Sequence, residues 1–161
     1  MQIINLKKLE KVVIKMKVKD CMCKDVAYLT PSATIQDCAK LMSEKHVGCI
    51  PVCDESKKVV GIVTDRDVIL RSIACDKDVK ATPLSDIMTT KVCICKEDDD
   101  VNNAQATMSN EQIRRLPVVN ENSQIVGIIT LGNLCASQYI NSDDVGETIE
   151  DICSCDRKNA E

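Results

Sequence analysis

Residues 46–68 read HVGCIPVCDESKKVVGIVTDRDV, and residues 112–134 read QIRRLPVVNENSQIVGIITLGNL. Each holds an apolar run, a polar turn, a second apolar run around a glycine, then a threonine with Asp or Asn three residues on. The two stretches share one register, which extends well upstream. Val18–Val68 falls on Leu84–Leu134 without a gap, with twelve identities over 51 positions. Asp20 meets Asp86, Met22 meets Met88, Met42-Ser43 meets Met108-Ser109, and Pro51-Val52 meets Pro117-Val118. A period this long marks a duplicated supersecondary unit rather than a solenoid array.

Each copy reads as strand–helix–strand–strand–helix. The first strand is expected at Val26–Leu29 or Val92–Cys95. Thr34 reads as a helix N-cap with Asp37 three residues on, followed by the apolar stripe Ile35, Cys38, Ala39, Leu41 and Met42. Asp100, Val101, Ala104 and Met108 repeat the pattern. Strands follow at Cys49–Cys53 and Val59–Val63, and at Arg115–Val119 and Ile125–Ile129. The turns between them are Asp54–Lys57 and Asn120–Ser123. A short helix ends each unit, Asp65–Ala74 or Leu131–Ile140. The fold class is therefore α+β, two tandem β-α-β-β-α repeats packed as one pseudo-two-fold module. The expected organisation is a helical extension at 1–15, repeats at 16–74 and 84–140, a linker at 75–83, and an acidic helix and tail at 141–161. Met16-Lys17-Val18 reads equally well as an internal start.

Composition narrows the function. The chain has 161 residues, a net charge of −4 and two tyrosines as its only aromatics. Base stacking on aromatic platforms is nearly excluded, and no basic surface suited to nucleic acid is expected. The Lys7, Lys8, Lys11, Lys15, Lys17, Lys19 cluster reads as a solvated helix face. No apolar run approaches the roughly 20 residues that span a bilayer, and the N-terminus lacks the pattern of a signal peptide. A cytoplasmic protein with no membrane partner is expected. The eleven cysteines include three C-x-C pairs, Cys21/Cys23, Cys93/Cys95 and Cys153/Cys155, but no C-x-x-C. They read as reduced, small hydrophobic residues, with a bound soft metal or a redox switch as the alternative. His46, the lone histidine, reads as a surface or cap residue. No acid/base pair, nucleophile–histidine set or phosphate-loop lysine occurs in recognisable order, so no enzyme is expected.

The segment Gly61-Ile62-Val63-Thr64-Asp65-Arg66-Asp67 runs a buried strand straight into a helix. Thr64 and Asp67 make a capping box on one reading. On the other, the free amides of the junction attract an anion and the Asp67 carboxylate accepts a ribose diol. The second copy has Thr130-Leu131-Gly132-Asn133, and Asn cannot supply an ionised acceptor.

Both copies resemble cystathionine-β-synthase (CBS) domains, and the pair resembles a Bateman module, over about residues 16–140. The residues carrying the likeness are Asp20-Cys21-Met22, His46–Val52 and Gly61–Asp67, then Asp86–Thr89, Gln112–Val118 and Gly127–Asn133. The resemblance implies two clefts for adenosine ligands, commonly AMP, ADP or ATP and sometimes S-adenosylmethionine. Carried over by position, the stronger cleft would use Ile62, Thr64 and Asp67 facing Val92, Ile113, Arg114 and Arg115. Val92 and Ile113 would sandwich adenine, Asp67 would bind the ribose diol, Thr64 would donate to phosphate or ribose, and the arginines would meet phosphate. An exposed strand edge blunted by charge is the other reading of the arginine pair. The weaker cleft would pair Ile128, Thr130 and Asn133 with Ala27, Tyr28, Val47 and Gly48, and Gly48-Cys49 stands there in place of an arginine clamp. The resemblance also implies a regulatory role without catalysis, a disc-shaped homodimer, and action in trans on an unidentified regulated protein or through self-association.

Overall fold

The computed structural model describes residues 16–136 and 142–158. The expectations for residues 1–15, 137–141 and 159–161 lie outside the described residues. The first element among the described residues is α1 (Val18–Cys21), a single turn in which the Lys17 N–H donates to Asp20 Oδ2 at 3.0 Å. Helix α2 (Ile35–Lys45) starts at a reciprocal cap: the Asp37 N–H donates to Thr34 Oγ1 and the Thr34 N–H to Asp37 Oδ2, each at 3.1 Å. It buries Ile35, Cys38 and Met42 along one stripe and stops at His46, whose φ of 53° is left-handed.

Strand β1 (Cys49–Cys53) pairs antiparallel with β2 (Val59–Thr64). Asp54 Oδ1 closes the turn by accepting the N–H groups of Ser56 and Lys58, both at 2.9 Å, and Lys57 takes the positive φ the turn needs. Helix α3 (Asp65–Arg71) follows β2 directly, and a 3-10 turn spans Ile73–Cys75.

The second copy repeats this frame. A 3-10 turn at Leu84–Asp86 leads to β3 (Cys95–Lys96), α4 (Val101–Glu111), β4 (Arg115–Val119), β5 (Ile125–Thr130) and α5 (Leu131–Ala136). Cys49 faces Thr64 across the first hairpin and Arg115 faces Thr130 across the second, and each hairpin carries one register shift at the matching place. The two turns meet, with the Ile125 N–H donating to Lys57 O at 3.0 Å.

The first strand of each copy is shorter than the sequence suggests. Val26–Leu29 reduces to one parallel bridge from Leu29 to Val52, and β3 is two residues long beside β4. Only the last residue or two of each segment reaches the hairpin edge. The preceding residues run past it and wall the clefts described below.

The cores are exchanged between the copies. The first contains Ile35, Cys38, Ile50, Val52 and Val63, but also Leu84, Ile87 and Met88 from the start of the second copy. The second contains Val101, Met108, Leu116, Val118, Ile129 and Leu134, together with Val18 and Met22 from the first. The backbone follows the same exchange. Leu84 N–H donates to Ala33 O at 2.8 Å, and Val18 N–H to Asp99 O at 3.0 Å. Ile62 and Thr89 trade both amide bonds, as do Ile128 and Cys23. These strips run so close to the hairpins that a Cβ at Gly127 would stand 2.8 Å from Cys23 O, and one at Gly61 would strike the Met88 side chain.

The acidic C-terminal segment forms α6 (Ser142–Lys158), which lies against α4 and α5. Val145, Thr148 and Ile152 are buried there, and Gln105 Nε2 donates to Thr148 Oγ1 at 2.9 Å.

Ile87 is 1% exposed in a core made mostly of the other copy. Ile87→Ala is expected to cost about 2–5 kcal/mol, read as a lower urea midpoint. Because each copy completes the other, the variant should still unfold in one transition by every probe. Separate transitions for the two halves would contradict the exchange.

Candidate functional site

The strand-to-helix junction at Thr64 is a complete capping box. Asp67 N–H donates to Thr64 Oγ1 at 3.2 Å, and the Thr64 N–H and hydroxyl donate to Asp67 Oδ2 at 2.9 and 2.8 Å. The threonine's one hydroxyl proton is therefore engaged within the cap, which departs from its expected role as donor to a ligand. Asp67 Oδ1 is not part of the cap and lies 3.4 Å from Arg71 Nη1. Arg71 in turn donates to Ile87 O at 2.8 Å, tying α3 to the exchanged strip of the second copy.

The second junction copies the first atom for atom. Thr130 N–H and hydroxyl donate to Asn133 Oδ1 at 2.9 and 2.8 Å, and Asn133 N–H donates to Thr130 Oγ1 at 3.2 Å. Asn133 thus holds an NH2 group where Asp67 holds a second carboxylate oxygen. The cap survives the change and the anionic acceptor does not.

All seven residues expected at the stronger cleft border one cavity of about 490 Å³: Ile62, Thr64, Asp67, Val92, Ile113, Arg114 and Arg115. Ile62, Val92 and Ile113 supply apolar wall. The cavity also takes in residues that sequence reasoning missed, among them Cys49, Asp65, Arg66, Lys91 and Glu111. Lys91 stands next to Val92 in the segment that leaves the sheet, and a segment that walls a cleft exposes neighbouring residues to it. That signal was available only once the strand was known to be short.

The weaker cleft is arranged differently from its expectation. It forms two compartments, an inner one of about 210 Å³ and a more open, outer one of about 370 Å³, and both are bordered by Val47, Arg115 and Thr130. Ala27 and Ile128 line the first and Gly48 the second. Tyr28 and Asn133 border neither. Gly48-Cys49 stands in place of an arginine clamp in this cleft, as expected from the sequence, but arginines of the other copy border it. Arg115 starts β4 beside the first residue of β1, so its side chain borders both clefts, and Arg114 borders the first cleft and the outer compartment of the second. Gly48 is covered by neighbouring charge: a Cβ there would stand 2.7 Å from Asp65 Oδ2 and 3.7 Å from Arg115 Nη2.

The Cys49 thiol sits between these groups. Burial pushes it up to about 11, Arg115 opposes the rise, and Asp67 and Asp65 add to it. Burial likewise raises Cys38 and Cys53 to about 11 and Cys95 to about 12. The ten cysteines whose side chains are described, from Cys21 to Cys153, are free thiols, and among the described residues no three His, Cys, Asp or Glu side chains converge as a metal site requires. No helix of the described residues is long and apolar enough to cross a membrane.

The family model for the CBS domain matches residues 18–73 and 84–138. The chain belongs to the CBS domain family. It is 38% identical over 143 residues to the uncharacterized protein YlbB of Bacillus subtilis (strain 168), covering 88% of this chain and 95% of that one. Among solved structures, the CBS domain pair of protein MJ0100, in complex with 5′-methylthioadenosine and S-adenosyl-L-methionine, is 30% identical with a TM-score of 0.67, over 74% of this chain and 93% of that one. CBSX2 in complex with AMP is 28% identical with a TM-score of 0.62, over 73% and 91%.

The thiolate is the nucleophile in alkylation, so a thiol held near 11 is only about a thousandth ionised at pH 8. With iodoacetamide at pH 8, exposed Cys23 and Cys75 should react in the folded protein well before Cys38, Cys49, Cys53 and Cys95. Mass spectrometry of digested protein reads the order, and early labelling of Cys95 would contradict the packing role.

Proposed function

We propose that this protein is a regulatory module that binds an adenosine nucleotide, AMP, ADP or ATP, in the cleft between Thr64 and Arg114, with S-adenosylmethionine as a further possible ligand. The observation that carries the reading is the meeting of Ile62, Val92 and Ile113 with the Asp67 cap and the Arg114–Arg115 pair in one cavity of about 490 Å³. Apolar wall suits a purine face, a carboxylate oxygen suits vicinal hydroxyls, and guanidinium groups suit phosphate. The adenosine ligands in the solved structures of MJ0100 and CBSX2 support the same class. Asp67 Oδ1 takes the ribose diol in this reading. Thr64 acts through Asp67, by holding its other oxygen, and Arg114, Arg115 and Lys91 take the phosphates. The module is not an enzyme. It is a cytoplasmic homodimer that acts in trans on a protein partner or through self-association, and it binds neither nucleic acid nor membrane.

The soft-metal or redox alternative draws on the cysteine count and the three C-x-C pairs. The raised thiols of Cys21, Cys93 and Cys95 point to packing instead, since burial is the first cause of each rise.

A thermal-shift panel of AMP, ADP, ATP, S-adenosylmethionine and NAD tests the ligand class, because a ligand bound by the native state alone raises its apparent stability. At least one adenosine nucleotide should raise the midpoint, and no response to any of them would overturn the reading. Asp67→Asn tests the site. Asn133 already makes the same cap, so apo stability should barely change. Loss of a charged acceptor should weaken the nucleotide on the order of 10- to 100-fold by calorimetry. Unchanged affinity would leave Asp67 as a cap only.

A further inference from the structure

Positions 49 and 115 are pseudo-symmetric, each opening the first strand of its hairpin and facing the threonine that ends the second. Cys49 and Arg115 both border the first cleft and the inner compartment of the second. The two clefts therefore meet along this line. Gly48-Cys49 offers no cation to it; Arg66 and Lys91 border the first cleft alone, Lys45 borders the inner compartment alone, and the cations that border both clefts are Arg114 and Arg115. Arg115 borders the first cleft and both compartments of the second, and Arg114 borders the first cleft and the outer compartment.

Resting on the adenosine-nucleotide reading above, we infer that the two clefts share one phosphate seat, built on Arg114 and Arg115, so that an anionic ligand in either cleft weakens the binding of an anionic ligand in the other. Two physical terms act in the same direction. A guanidinium that makes a forked contact with one phosphate has fewer donors left for a second. A second phosphate at the same seat also meets the charge of the first across a short, partly desolvated gap. Neither term applies to an adenosine ligand with an uncharged tail. The coupling is thus a property of ligand charge, and by linkage it runs equally in both directions. An intrinsic weakness of the second cleft, such as its divided cavity or Asn133, would act on charged and uncharged ligands alike.

Two variants of the full chain separate these cases. Val92→Trp fills the purine-facing wall of the first cleft and leaves both arginines in the chain. Cys49→Arg supplies a second guanidinium at the pseudo-symmetric position, on a backbone pairing that already carries an arginine in the other copy. Calorimetry is run with ADP and with 5′-methylthioadenosine, whose tail is uncharged. In the wild type, ADP should bind in a tight and a weak step. In Val92→Trp the tight step should vanish and the remaining site should bind ADP on the order of 10-fold more tightly than the wild-type weak step, with no gain for 5′-methylthioadenosine. In Cys49→Arg the weak ADP step should tighten by a similar factor. Far-ultraviolet circular dichroism confirms that both variants are folded. A second-cleft ADP affinity unchanged in both variants, or an equal gain for both ligands, overturns the shared seat while leaving adenosine binding intact. Absence of binding by either ligand in the wild type overturns the adenosine reading itself and the seat that rests on it.

Discussion

The exchange of lead-in strips between the two copies is the constraint on which the rest of this structure depends. Val18 and Met22 belong in sequence to the first copy and in space to the core of the second, while Leu84, Ile87 and Met88 make the opposite passage. Each strip fixes the edge of the hairpin it joins by paired amide bonds, Ile62 with Thr89 and Ile128 with Cys23. The close approach is possible because Gly61 and Gly127 present no side chain there. The clefts follow from the same geometry. Each is walled by β2 or β5 of one copy and by the segment after the strip of the other, so Ile62 faces Val92 only because Thr89 is held against β2. Arg71 reinforces the arrangement by reaching Ile87 O from the helix that carries Asp67.

The hairpins, their turns and helices α2 and α4 were legible in the sequence because local chemistry specifies them. Asp54, Asn120, Thr34 and Asp100 each close the turn or cap their side chains favour. The strip exchange was not legible, since Val18 and Leu84 look alike in sequence whichever core they enter. The first strands were over-read for a related reason. Apolar residues at 26–29 and 92–95 satisfy a strand pattern, yet Val26, Ala27, Val92 and Cys93 border a cleft and only Leu29 and Cys95 find a ladder partner. The family resemblance named seven residues for the first cleft, and all seven border one cavity. It missed the reach of Arg115 into the second, because a residue-by-residue carry-over assigns each side chain to one cleft, and a long side chain near a pseudo-axis serves two.

The capping box and the ligand site at Thr64 are one structure rather than competitors. A carboxylate has two oxygens, and the cap engages only Oδ2. Holding one oxygen in two short contacts fixes the direction of the other, so the capping geometry also lowers the ordering cost of any bond made to Oδ1. The second copy shows the separability of the two roles, because Asn133 retains every contact of the cap. The cysteines show another economy of the same sequence. Cys38, Cys53 and Cys95 stand where small apolar atoms fill a core, and burial that keeps them protonated also keeps them unreactive.

The crossed strips also dictate an order of events during synthesis. As the chain leaves the ribosome, the first hairpin and α2 emerge complete, yet their core lacks Leu84 and Ile87 until those residues follow. Val18, made early, waits for Leu116, Ile129 and Leu134 near the other end. A nascent chain halted between the repeats therefore holds two uncovered apolar faces, one awaiting its strip and one strip awaiting its core. Such surfaces invite pairing with the same strip from another nascent chain, the route by which duplicated folds exchange segments between molecules. The linker at 75–83, ending on Pro83, is short enough to deliver the native strip as soon as it is made, which favours closure within one molecule.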